Sequence, residues 1–133
     1  TPKEYYVKAV SEAVCEWTDN ASADLTSFLA NSRVSLDALD GEEVLERIMT
    51  QKWISNYLVG IESWCDYRRT GYPEMPVKAL AANDGILHTR LRYPSDEEFR
   101  NKTHYFEAVN GWLGGTNNMT TNVWWADHTD KRK

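Results

Sequence analysis

The chain has 133 residues, with 15 Lys and Arg against 20 Asp and Glu, a formal charge of −5. This is enough for one domain of ordinary size, and 41% apolar with 26% charged residues at a mean hydropathy of −0.62 excludes a disordered or fibrous chain. No apolar run reaches membrane-spanning length, the polar start Thr1-Pro2-Lys3-Glu4 is no signal peptide, and the basic residues are scattered apart from Arg68-Arg69 and Lys131-Arg132-Lys133. A membrane-spanning helix, an export signal within this chain and a nucleic-acid partner are therefore not expected.

Thr1-Pro2-Lys3-Glu4 reads as a helix start: Thr caps, Pro suits the first turn, and Glu at the third helical position reaches back to the cap. Tyr5/Tyr6, Ala9/Val10, Ala13/Val14 and Trp17 then recur every three to four residues, predicting a helix over about 3–17. A shorter helix is expected over 22–30, with Leu25, Phe28 and Leu29 on one side. Asp40-Gly41-Glu42-Glu43 is a second capping signature. It opens the strongest period in the chain, from Val44/Leu45 to Trp64/Cys65, which predicts one helix over 41–67 with Gly60 as its loosest point.

No period survives over 68–94, which Gly71, Pro73, Pro76, Gly85 and Pro94 punctuate. So long a connection reads either as a functional loop or as a surface covered by another part of a larger fold. Ser95-Asp96-Glu97-Glu98 is a third capping box, and the pattern after it predicts a helix over 96–113 ended by Gly114-Gly115. Residues 122–127 read as a short extended segment and 128–133 as a frayed tail. The expected class is all-α, mainly helical with long irregular loops.

Chemistry is sparse in this pattern. Glu42/Glu43/Glu46, Glu62/Asp66 and Asp96/Glu97/Glu98 lie where helix-start electrostatics or a solvated face account for them. Nucleophile, phosphate-loop and zinc-protease motifs are absent from the sequence, and His88, His104 and His128 do not fall at metal-ligand spacing. No catalytic residue, metal or cofactor is assigned. Cys15 and Cys65 read as small buried hydrophobes, with a disulfide as the alternative. Arg68-Arg69 at the end of the long helix suits structural pairing with loop carbonyls and an acid such as Glu62 or Asp66. Arg90-Leu91-Arg92-Tyr93-Pro94 has the same pinned-loop character.

Six Trp, seven Tyr and three Phe are unusual for this length. Either the core is rich in rings, or some rings face a ligand or a larger body. Trp112, Trp124 and Trp125, close to loops, and Tyr72 are the rings best placed to meet a ligand.

Ile48-Met49-Thr50-Gln51-Lys52-Trp53-Ile54, then Glu62-Ser63-Trp64-Cys65-Asp66-Tyr67-Arg68-Arg69-Thr70-Gly71-Tyr72-Pro73, resembles the C-terminal part of SusD/RagB-type nutrient-binding outer-membrane lipoproteins. Two later blocks follow in the family's order, Arg90-Leu91-Arg92-Tyr93-Pro94-Ser95-Asp96-Glu97 and Val123-Trp124-Trp125-Ala126-Asp127. Departures are small: Cys65 stands where alanine is usual, Thr89 where a second arginine often stands, and Ala126 is inserted before Asp127.

The resemblance implies an α-superhelical, tetratricopeptide-containing parent of which residues 1–133 form a single C-terminal segment. It further implies a cell-surface location on the outer membrane, attachment only through a lipid anchor outside this chain, and capture of oligosaccharide or peptide for a TonB-dependent SusC-like transporter. The N-terminal remainder of the parent is an implied partner. Gln51, Lys52, Trp53, Trp64, Arg68, Arg69, Thr70, Gly71, Tyr72, Pro73, Arg92, Tyr93 and Pro94 would be structural motif residues. Two rival readings are a segment that contacts the transporter without a nutrient site, and a glycan-cleaving enzyme.

Overall fold

The first helix, α1 (Pro2–Thr18), forms where its capping residues place it. Thr1 Oγ1 accepts from the Glu4 N–H at 3.4 Å while the Glu4 carboxylate accepts from the Thr1 backbone nitrogen at 2.7 Å. Two of the helix's otherwise orphaned donors are thereby satisfied. Asp19, in the left-handed region at φ 51°, ends it and donates its N–H back to the last turn.

The computed structural model describes residues 1–20, 22, 24–75 and 85–126, and all regular structure among them is helical. They fall into two compact units, Thr1–Glu74 and Met75–Lys133. The frayed tail expected over 128–133, Asp127, and the part of the long loop over 76–84 lie outside the described residues.

In the first unit α1 is followed by α2 (Thr26–Leu29), α3 (Gly41–Ser55) and α4 (Gly60–Thr70), with α1 packed on α3 and α3 on α4. The core is Tyr6, Val10 and Val34, with Val7, Leu29, Leu36 and Ile48 packed against it. Burying each of those three side chains contributes about 1.5–3 kcal/mol. Tyr6 keeps its hydroxyl satisfied by donating to the Val34 carbonyl at 2.5 Å.

The helix expected over 22–30 shrinks to a single turn. Asn20 and Asp24 side-chain oxygens take the N–H groups of Ser22 and Thr26 at 3.2 and 3.0 Å, so helical pairing starts only at Thr26. The helix expected over 41–67 is two helices. Tyr57 N–H bonds to the Ile54 carbonyl and Val59 N–H to that of Asn56, tightening the chain into a turn, and Leu58 sits at φ 70°. Gly60 is therefore the first residue of α4 and not a weak point inside one long helix. Asp40 starts α3 without a side-chain capping bond.

The second unit holds α5 (Glu97–Arg100) and α6 (Lys102–Trp112). The helix expected over 96–113 breaks at Asn101, whose backbone leaves the helical region at φ −132°, ψ 41°. Asp96, not Ser95, begins α5, again without a side-chain cap. Past α6, Gly114 and Gly115 take positive φ, and the Gly115 N–H reaches back to the Val109 carbonyl at 2.9 Å. That is the termination their position predicted. Residues 123–126 form a turn closed by Ala126 N–H to Val123 C=O at 2.9 Å, in place of the expected extended segment.

Candidate functional site

The residues that carry the sequence motif in the first unit are engaged in building the α3–α4 hairpin. Asp66 on α4 accepts from Lys52 of α3 at 2.6 Å and from Arg69 at 2.8 Å. Burial alone would push the Asp66 carboxyl up, but the hydrogen bonds and charges of Lys52 and Arg69 outweigh it and hold it below the ordinary carboxylate range. Arg68 lays its guanidinium 3.9 Å from the centroid of the Trp64 ring and approaches Cys65 Sγ at 3.6 Å. Arg69 thus makes the pairing with a nearby acid that was expected at the arginine pair.

Buried Thr70 donates to the Asp66 carbonyl at 2.8 Å and accepts from the Tyr72 N–H at 3.2 Å. Gly71 caps α4 in the left-handed region at φ 80°, where a side chain would be strained. Tyr72 then sends its hydroxyl to Glu42 in the first turn of α3, at 3.3 Å. Lys52, Trp64, Arg68, Arg69, Thr70, Gly71 and Tyr72 are in this way consumed by one hairpin and its exit. Gln51 is half-buried on α3, and Pro73 follows the cap.

The hairpin also carries an apolar surface. Trp53, Ile54, Tyr57, Leu58, Val59 and Ile61 are between 44% and 82% exposed. Trp17 meets Tyr57 edge-on, with ring centroids 5.7 Å apart, and donates its indole N–H to the Ser55 carbonyl at 3.1 Å. An open groove of about 340 Å³ elsewhere in this unit is lined by Arg33, Leu39, Glu43, Glu46, Arg47 and Thr50. Its Arg47 is engaged with the carbonyls of Ser32 and Ser35.

The second unit presents rings on a polar clasp. Thr89 N–H bonds to the Met119 carbonyl at 2.8 Å, and its hydroxyl to that of Thr121 at 2.9 Å. Arg90, buried, donates to the Asn118 carbonyl at 2.5 Å and to Asn117 Oδ1 at 3.2 Å. The Asn117 side chain grips the backbone of Tyr93 on both sides, accepting its N–H at 3.0 Å and donating to its carbonyl at 3.1 Å. Asn118 Oδ1 accepts from the backbone and hydroxyl of both Thr120 and Thr121, locking the other strand of the clasp into a turn.

Of the rings expected to meet a ligand, Trp112 and Trp124 are the most open, at 81% and 87%, and Trp125 is 37% exposed. All three belong to the second unit, whereas Tyr72 belongs to the first. Arg92 and Pro94 are exposed beside Tyr93 in the chain. Asn117 carried no sequence signal of its own; the run Asn117-Asn118-Met119-Thr120-Thr121 marks a side-chain-stabilised turn but not its partner. Tyr105 and Phe106 were visible only as helix-forming apolar positions.

Cys15 and Cys65, expected as small buried hydrophobes or a disulfide, are free thiols and half-buried. Among the described residues no group of three or more His, Cys, Asp or Glu is placed to hold a metal ion. No helix among them is long and apolar enough to cross a membrane.

Comparison with known proteins follows the same lines. The model of the SusD-like family, described as SusD and RagB outer membrane lipoproteins, matches residues 1–126. Among solved structures, a chitin-binding protein is 39% identical, covering 68% of this chain and 20% of its own, with a TM-score of 0.59. A SusD homologue from Bacteroides fragilis NCTC 9343 is 25% identical, covering 94% of this chain and 30% of its own, with a TM-score of 0.76. A SusD-like protein of Bacteroidetes AC2a, 23% identical, covers 95% of this chain and 26% of its own with a TM-score of 0.73 and shares the fold. The chain thus spans between a fifth and three tenths of the length of these structures. No curated protein matches it. With its helical architecture among the described residues, its motif-bearing hairpin and a family match over nearly its whole length, the chain belongs to the SusD-like family of outer membrane lipoproteins.

Proposed function

We propose that this chain is part of a non-enzymatic, surface-exposed lipoprotein that captures oligosaccharide and passes it to a TonB-dependent SusC-like transporter. The observation that carries the reading is the 39% identity to a chitin-binding protein over 68% of this chain, within a family match over residues 1–126. It favours a glycan over a peptide as the ligand. Chemistry supports it too: a sugar presents an apolar C–H face and a rim of hydroxyls, and partly exposed Trp and Tyr rings on a rigid support suit both. Trp112 and Trp124 offer open ring surface and Trp125 a partly open one, whereas Tyr72 is engaged with Glu42 at the hairpin exit. Asp66, the carboxylate most tightly engaged in the motif, is occupied by Lys52 and Arg69, which leaves it poorly suited to proton transfer.

A second reading, that the first unit serves protein contact, draws on the exposed run from Trp53 to Ile61. Contiguous apolar surface of this kind marks interaction sites. In that reading the hairpin meets the remainder of a longer parent or the transporter, and nutrient contact lies elsewhere.

Intrinsic tryptophan fluorescence, titrated separately with oligosaccharides and short peptides, tests the proposal. A saturable shift with the glycans alone is expected. A shift with peptides alone, or none from a sample shown to be folded, would remove the glycan site from these residues.

A further inference from the structure

Within the second unit the rings of Tyr93, Tyr105 and Phe106 form a continuous edge-to-face run. Tyr93 and Tyr105 have centroids 6.2 Å apart at 72°, and Tyr105 and Phe106 5.2 Å apart at 81°. Tyr93 and Phe106 remain 38% and 37% exposed. Among the described residues neither tyrosine hydroxyl has a hydrogen-bond partner, so two donor-acceptor groups stand ready at the rim of an apolar surface.

What distinguishes these rings from the more open Trp112 and Trp124 is their support. Asn117 clamps the Tyr93 backbone from both sides, and the guanidinium of buried Arg90 lies 4.9 Å from the Tyr93 ring centroid. That guanidinium is itself fixed by Asn117 and Asn118. A ring already held in one orientation loses little conformational freedom on binding, whereas a freely exposed tryptophan must be immobilised by its ligand. A set of core rings would have been buried with Val109 and Ala126. These rings are instead fixed and left partly open.

We infer that Tyr93, Tyr105 and Phe106 form the anchoring subsite for a pyranose ring, with Arg90 and Asn117 as positioning residues. The inference rests on the oligosaccharide reading above and names its site. The C–H face of the sugar stacks on the open face of one of these rings, its edge meets the next, and the phenol hydroxyls meet its equatorial substituents. Trp112 and Trp124 would extend the contact to further sugar units.

Isothermal titration of the 133-residue chain with N-acetylglucosamine tetramer, and in parallel with maltotetraose, tests this. Affinity should fall by about tenfold or more in Tyr93→Ala, by about two- to fourfold in Tyr93→Phe, and by less than about twofold in Trp53→Ala on the first unit. The ring protons of Tyr93, Tyr105 and Phe106 in the wild-type chain should shift on titration, which decides the matter even where Tyr93→Ala fails to fold. Wild-type binding with unmoved ring protons, or with loss confined to Trp112→Ala and Trp124→Ala, overturns the subsite and leaves the oligosaccharide reading standing. Absence of binding by the folded wild-type chain to either glycan overturns both.

Discussion

The two units solve the same problem of positioning side chains by different means. In the first, α1 and α3 bury Tyr6, Val10 and Val34, and an ion-paired hairpin carries the motif residues. In the second, two irregular segments are tied by side chains bonding to backbone, with Arg90, Thr89, Asn117 and Asn118 doing the tying. The difference teaches that a strong sequence motif can be spent on building a hairpin. The motif residues of the first unit build its hairpin, while the second unit holds partly open rings, Tyr93 of a later motif block among them, through contacts that no local pattern marks.

The sharpest way to break this comparison is to remove the clasp. Arg90→Ala should destabilise by about 3 kcal/mol, since it strips charge-assisted hydrogen bonds from a buried position and leaves the Asn118 carbonyl short of a donor. Amide hydrogen exchange should accelerate over 85–126 and stay unchanged over 1–74. Uniform acceleration would show that the clasp is not local.

The complementary core variant, Val10→Ala, should cost about 2 kcal/mol through lost burial and a small cavity against Val34 and Ile48. Denaturant unfolding followed by tryptophan fluorescence measures it, with exchange now accelerated over 1–74.

Asp66→Asn probes the hairpin, with an expected loss of about 1–2 kcal/mol at neutral pH, between the values for exposed and fully buried ion pairs. The folded Asp66 carboxyl is held below its unfolded value of about 3.9, so the stability it contributes is present above that value and is lost as pH falls through the folded one. Acid titration of thermal stability should therefore be steeper below about pH 4 in the wild type than in Asp66→Asn.

The smallest effect is a gain. Leu58 sits at φ 70° and is 82% exposed, so Leu58→Gly relieves left-handed strain at little packing cost. A stabilisation of about 0.5–1 kcal/mol is expected in thermal unfolding.

The same contrast explains what the sequence could reveal. The first helix was legible because its capping box and its apolar period agree and both are realised, with Tyr6 and Val10 facing the core. The break between α3 and α4 was hidden because the apolar period runs on through Tyr57, Leu58 and Ile61, which pack on no core and are exposed. Periodicity records which positions are apolar, not where they point. Asn101 broke the last predicted helix without proline or glycine as a warning. The clasp was illegible for a different reason: Arg90 and Asn118 are 28 residues apart, and nothing local in either segment names the other.

The central claim, that glycan contact belongs to the second unit while the motif-bearing hairpin serves the fold, is tested most directly by mapping amide chemical shifts of the labelled chain during titration with N-acetylglucosamine tetramer. The account predicts saturable shifts concentrated over 88–121, with residues 1–74 unmoved. Shifts concentrated on the α3–α4 hairpin, or none in a well-dispersed spectrum, would contradict it.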